Sequence, residues 1–188
     1  MSLEELWELF PISLAEPSET WAKQYQRIEA VLTGALENVC GLRVSHIGST
    51  AIAGIMAKDI VDVLVEVDAA EPLPAVAESL EALGFIRMSE SCYGSSESSS
   101  RISMNLGYTT KGYADEVFHI HLRYKGDNDE LYFRDYLNDH PDVAHEYEAL
   151  KLELCKRYKH DRDAYTDGKA GFVRAWSKEG RRAYGSRY

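Results

Sequence analysis

Apolar side chains recur at Trp21, Tyr25, Ile28, Leu32, Leu36 and Val39 in steps of three and four, which lays one stripe along a helix. Ser18 after Pro17 supplies its N-cap and Gly41 ends the pattern. Leu42 to Ile47 then reads as a short strand entering a tight turn at Gly48-Ser49-Thr50, and the β-branched run Ile60 to Val67 as a mostly buried strand. A helix follows over Pro72 to Gly84, with Leu73, Val76, Leu80 and Leu83 inward and a glycine at its close. Phe85 to Met88 begins another strand, and the alternation over Arg101 to Tyr108 and Val117 to Tyr124 predicts the last two. Residues 89–100 hold seven serines and too little apolar surface to pack, which predicts a mobile loop, either a lid or a plain solvated hairpin. Beyond residue 124 the period turns helical: Pro141 opens a helix carrying Val143, Tyr147, Leu150 and Leu154, and a last helix runs through Phe172, Val173 and Trp176. The expected architecture is α/β (α+β), a mixed sheet of about five strands flanked by helices. The sheet-bearing part spans about 18–125 and a C-terminal helical half about 128–180 of one domain.

Composition narrows what such a domain can do. With 188 residues and 45% apolar content the chain can bury one sizeable core. A formal charge of −10 repels a phosphate backbone at long range, so no extended nucleic acid is expected, whereas a small nucleotide or phosphorylated ligand in a local basic pocket is compatible. Cys40, Cys92 and Cys155 are widely spaced without a CxxC pair, which predicts reduced thiols rather than a disulfide framework or a structural zinc site. The acidic N-terminus lacks the positive region of a leader, and no segment reaches a membrane span, so a cytoplasmic protein without membrane contact is expected.

Candidate chemistry gathers around the tight turn. Backbone N–H groups and hydroxyls at Gly48, Ser49 and Thr50 can cradle a phosphate, while Asp62 on the following strand can hold a divalent metal. Taken alone, the glycine-serine pair reads as an ordinary turn. Asp62 interrupts a buried run and needs a partner, either an ion pair with Lys58 or a core arginine, or a metal or substrate. His119 and His121, two apart on a strand, project from one face and can bind metal or shuttle a proton, and His46 lies close to the same turn. Lys58, Arg101, Arg123, Arg134, Lys151, Arg162 and Lys169 are the cations available to a phosphate, with a solvated helix face as the alternative for Arg134, Lys151 and Arg162. Tyr132, Phe133, Tyr136 and Tyr147 read as packing residues.

The run HIGSTAIAGIMAKDIVDVLVEV from His46 to Val67 resembles the signature of the GrpB (glutamate-rich protein) family. FHIHL at 118–122, YFRDYLNDHPDVAHEYEALKLEL from Tyr132 to Leu154, and Arg162, Tyr165, Lys169 and Phe172 extend the similarity over about residues 20–175. The resemblance implies a nucleotidyltransferase-like fold and a nucleotide-related role, since similar domains occur fused behind dephospho-coenzyme A kinase. It makes Gly48 and Ser49 the phosphate-side turn, Asp62 the first metal carboxylate, and Lys58 and the histidines candidate site residues. Departures accompany it. A working transferase places carboxylates two residues apart with a third on a neighbouring strand, but here Leu64 holds the second position and His119 and His121 stand on the neighbour. Asp59, and Ala51-Ile52-Ala53, also replace proline-bearing forms of the pattern.

Two function classes follow. One is metal-assisted nucleotidyl or phosphoryl transfer, with Asp62, His119, His121 and His46 around one divalent ion, Ser49 orienting phosphate, and Lys58 or Arg101 stabilising charge. The other is a catalytically inactive nucleotide-binding or regulatory module. A histidine-triad hydrolase fails because Arg123 stands where a further histidine belongs, and an interaction protein would bury its histidines with no open pocket beside Asp62.

Overall fold

A computed structural model describes residues 8–92 and 100–188. Five strands form one mixed sheet: β1 (Arg43–Ile47), β2 (Val61–Val67), β3 (Ile86–Cys92), β4 (Ser100–Thr109) and β5 (Gly112–Tyr124), in spatial order β1-β2-β5-β4-β3. Only β2 and β5 run parallel; the other three pairings are antiparallel. Helix α1 (Glu19–Ala35) precedes β1, α2 (Leu73–Glu81) connects β2 to β3, and α3 (Asp129–Asp139), α4 (Pro141–Arg157) and α5 (Arg162–Tyr184) follow the sheet.

Side-chain alternation divides the sheet into two unlike faces. Val61, Val63, Val65 and Val67 join Ile102, Met104, Phe118, Ile120 and Leu122 in a core closed by Trp21, Ile28 and Leu32 of α1 and Leu73, Val76 and Leu80 of α2. These side chains are almost wholly removed from water, and truncating a residue such as Leu32 would cost about 2–5 kcal/mol. The opposite face carries Asp62, Leu64 and Glu66 from β2 beside His119, His121 and Arg123 from β5. Leu64 packs there with Ile47 and Leu131, and α3 to α5 build a second core from Phe133, Leu137, Val143 and Tyr147 against Ile52 and Ile55. Polar residues thus line the seam between the sheet and the C-terminal helices.

Ser18 caps α1, accepting from Thr20 N at 3.2 Å, as expected. The helix stops at Ala35 rather than Val39, because the chain tightens into a turn in which Val39 N donates to Leu36 O. Gly84 closes α2, with Gly84 N donating to Glu81 O and Phe85 N to Leu80 O, a Schellman closure. Leu83, expected inward, lies past the last helical turn and is 40% exposed. The serine-rich stretch divides: Ser89–Cys92 and Ser100 pair within β3 and β4, where ladder hydrogen bonds overrule composition, while 93–99 lie outside the described residues.

Candidate functional site

Strand register brings the central residues together. Asp62 lies opposite Ile47 on β1 and His119 on β5, and Leu64 lies opposite His121, so the carboxylate and both imidazoles share one face. Gly48 leaves β1 with φ +72°, and a Cβ there would stand 2.4 Å from Asp62 Oδ2, so the turn needs glycine both for its left-handed backbone and for this approach. Ser49 begins a short 3-10 turn, Ser49–Ala51, and lines the same cavity as Tyr147.

A cavity of about 290 Å³ opens beside Asp62, lined by Gly48, Ser49, Lys58, His119, His121 and a stripe from α5. That stripe is Arg162, Tyr165, Thr166 and Lys169, at intervals of three, one and three, one face of the helix's first two turns. Tyr165 is buried between ammonium groups, with Lys169 Nζ 4.5 Å and Lys58 Nζ 5.5 Å from its ring centre. Burial, aided by the nearby Lys169 and Arg162 and opposed by Asp62, pushes the Lys58 ammonium down to about 8. Burial also lowers Lys169, against the pull of Asp62.

Asp62 Oδ1 receives both imidazoles, His121 Nε2 at 3.1 Å and His119 Nδ1 at 3.4 Å. Burial works against its ionisation, yet the hydrogen bonds from His119 and His121 hold the carboxyl well below the usual carboxylate range. His119 is lowered chiefly by burial, which outweighs Asp62. Its other nitrogen, Nε2, meets Tyr108 Oη at 2.8 Å.

Other expected site residues lie elsewhere. His46 occupies the opposite face, because antiparallel register sets it against Val63 while its neighbour Ile47 faces Asp62. Its ring stacks on Tyr25 at 4.7 Å and its Nε2 bonds Thr50 Oγ1 at 2.9 Å; burial, opposed by Asp62 and aided by Arg134, pushes it down to about 4. His46 and Thr50 line a separate, open depression of about 390 Å³ together with Trp21 and Asn138. Neither His46 nor Thr50 lines the Asp62 cavity. Arg101 does not line it either: its guanidinium grips Asp127 through two bonds of 2.6 and 2.7 Å. Arg134 donates to His46 O, and the buried Lys151 donates to Met56 O. Tyr147, read as packing, both packs on Phe133 and lines the cavity.

Tyr108 was absent from the expected site. Strict alternation would place it with Ile102, Met104 and Leu106 on the apolar face, but the register slips between Leu106 and Tyr108. Gly107, with φ +93°, sits where a Cβ would be 2.3 Å from Glu116 O. This bulge turns the phenol toward His119, and a glycine inside a strand pattern is the signal that could have flagged it.

Among the described residues, no group of three or more His, Cys, Asp or Glu side chains is arranged to hold a metal ion. Asp62, His119 and His121 instead bond to one another. Leu64, wholly buried, stands where a paired metal site needs its second carboxylate. No helix among the described residues is long and apolar enough to cross a membrane.

Comparison with known proteins agrees with this architecture. The family described as GrpB protein matches residues 11–179. The chain is 34% identical over 168 residues to glutamate-rich protein GrpB of Alkalihalophilus pseudofirmus, covering 86% of this chain and 91% of that one. The crystal structure of conserved protein GrpB from Enterococcus faecalis superposes with a TM-score of 0.75 at 27% identity, covering 92% and 99% of the two chains. More distantly, Cid1 poly(U) polymerase bound to MgATP shares the fold with a TM-score of 0.51 at 15% identity, over 83% of this chain and 46% of the polymerase. The five-stranded sheet with its C-terminal helices is a nucleotidyltransferase-like fold, and the chain belongs to the GrpB family.

Proposed function

We propose that the cavity beside Asp62 binds the phosphate of a small phosphorylated molecule, a nucleotide in keeping with the fold, and supports phosphoryl or nucleotidyl transfer on it. The carrying observation is charge: among the described residues, Lys58, Arg162 and Lys169 line the cavity against the single carboxylate of Asp62. In a chain of net charge −10 this is a local surplus of positive charge, partly withdrawn from water, which an anion would neutralise. Ser49 and the turn after Gly48 orient the phosphate oxygens, the three cations neutralise them, and Asp62 with His121 accepts the proton of an attacking hydroxyl.

A bound divalent ion would supply further charge neutralisation in the expected form of this chemistry. The residues do not fit a magnesium pair, because Leu64 replaces one acid and imidazoles replace another. A single ion would have to part Asp62 from the two imidazoles that share its Oδ1. The reading therefore assigns neutralisation to the chain's own cations. The alternative, a nucleotide-binding module without turnover, is favoured by Leu64 and predicts binding without product.

Calorimetry with pyrophosphate and ATP, with and without magnesium, manganese or zinc, tests the proposal. Saturable binding is expected from wild type. It weakens about tenfold to a hundredfold in the Lys58→Met, Lys169→Met double variant, which loses two charge-assisted contacts, and is unchanged in His46→Gln on the opposite face. No binding of either anion by wild type overturns the reading. Metal binding abolished by the His119→Ala, His121→Ala pair would restore the metal in place of the cations.

A further inference from the structure

Tyr108 Oη is engaged from two sides, 2.9 Å from Arg162 Nη2 and 2.8 Å from His119 Nε2. A phenol has one proton to donate and two lone pairs to accept with. Arg162 can only donate. The Tyr108 proton is left for His119 Nε2. On the far side of the same ring, Nδ1 lies 3.4 Å from the Asp62 carboxylate, which can only accept and so favours hydrogen on Nδ1. The four groups form one directed chain, from Arg162 N–H to Tyr108, from Tyr108 O–H to His119 Nε2, and from His119 Nδ1–H to Asp62.

We propose that Tyr108 is a positioning residue that locks His119 in the Nδ1–H tautomer as a fixed support for Asp62, leaving His121 as the imidazole available to a bound ligand. The bulge at Gly107 exists in this view to present the phenol, which would otherwise point into the apolar core. Aromatic packing holds the ring in place: Phe10, itself buried, meets it at 4.9 Å, Tyr113 at 5.3 Å, and His119 lies nearly parallel to it at 5.8 Å. The same oxygen anchors Arg162 on the wall of the cavity, so one residue orders a cation and the carboxylate's support together. The consequence for ligand chemistry rests on the proposed phosphate site. The tautomer does not.

The test is long-range ¹H–¹⁵N correlation spectroscopy of the full chain with ¹⁵N-labelled histidine. In wild type, His119 is expected to show a protonated Nδ1 and a bare, hydrogen-bonded Nε2. In Tyr108→Phe, which keeps the ring and its packing, the Nε2 resonance should move toward that of an unbonded pyridine-type nitrogen, with His121 unmoved. A wild-type His119 protonated on Nε2 overturns the proposal, as does a His119 spectrum identical in Tyr108→Phe and wild type. Loss of the phosphate reading would leave these spectra unchanged, so the two failures are distinguishable.

Discussion

Asp62 and Glu66 lie four residues apart on one face of β2, yet the two ends of that face are built to opposite ends. Glu66 is wholly buried and fully answered: Arg43 Nε donates at 2.6 Å, Asn128 Nδ2 at 3.0 Å and Gly126 N at 3.3 Å. Asp62 keeps 27% of its side chain exposed, faces a cavity, and takes its closest bonds from two imidazoles. Glu66 fastens the edge strand β1 and the loop before α3 to the sheet, and Asn128 in turn accepts from Arg181 of α5 at 3.1 Å. A carboxylate closed on every side by formal charge and amide donors stabilises; one left open among cations and titratable rings is arranged for exchange with a ligand.

Removing each carboxylate sharpens the contrast. Glu66→Ala strands Arg43 and Asn128 in the seam and should cost about 3–5 kcal/mol, read as a fall in the urea midpoint, with little residual native state at 37 °C. Unfolding within 1 kcal/mol of wild type would show that the two carboxylates are equivalent after all. Lys58 should behave in the reverse sense. Its folded value, about 8, lies below the roughly 10.4 of an unfolded lysine, so folding disfavours its charged form. The resulting cost is fully present below pH 8 and vanishes as pH rises toward 10.4. Lys58→Met should therefore stabilise the chain at pH 7 by an amount of order 2 kcal/mol, and by nothing at pH 10.5. Affinity of wild type for a dianionic phosphate should fall as pH rises through 8, while Lys58→Met loses that inflection. The smallest stability effect is expected at Asp62→Asn, about 1–2 kcal/mol, because the amide oxygen still accepts from an imidazole and the site is open to water. Removing the negative charge of Asp62 from beside Lys58, Arg162 and Lys169 should tighten pyrophosphate binding severalfold while abolishing turnover. Weaker pyrophosphate binding in Asp62→Asn would count against the phosphate reading.

Much of this layout was legible before any tertiary contact. The order of elements from Ser18 to Tyr124 followed from apolar period, and the misplacements fell at ends: the last turn of α1, the exposed Leu83, strand residues 89–92 hidden by a serine-rich composition, and β5, which begins at Gly112 rather than Val117. Gly48, Ser49, Lys58, Asp62, His119 and His121 were singled out by type and spacing, and all line one cavity. Arg162 and Lys169 were among the cations named, but their convergence depends on how α5 lies across the sheet, which a period of three and four does not encode. His46 and Arg101 do not line that cavity: one residue of strand register put His46 on the far face, and Asp127 engages Arg101.

The sequence by itself determined the local matter of this protein: which segments could be helix or strand, which side chains alternate inward, and that a glycine turn meets an aspartate strand. Those properties depend on neighbours along the chain. Tertiary structure alone decided what shares a point in space. The parallel pairing of β2 with β5 put both histidines on Asp62, and the crossing of α5 brought Arg162, Tyr165 and Lys169 over it. The slip at Gly107 turned a tyrosine out of the core and onto His119. The first two follow from packing and register between segments far apart in the chain, which no local pattern encodes, whereas the third lies within the β4–β5 hairpin, 11 positions from Tyr108 to His119, and Gly107 is its local trace.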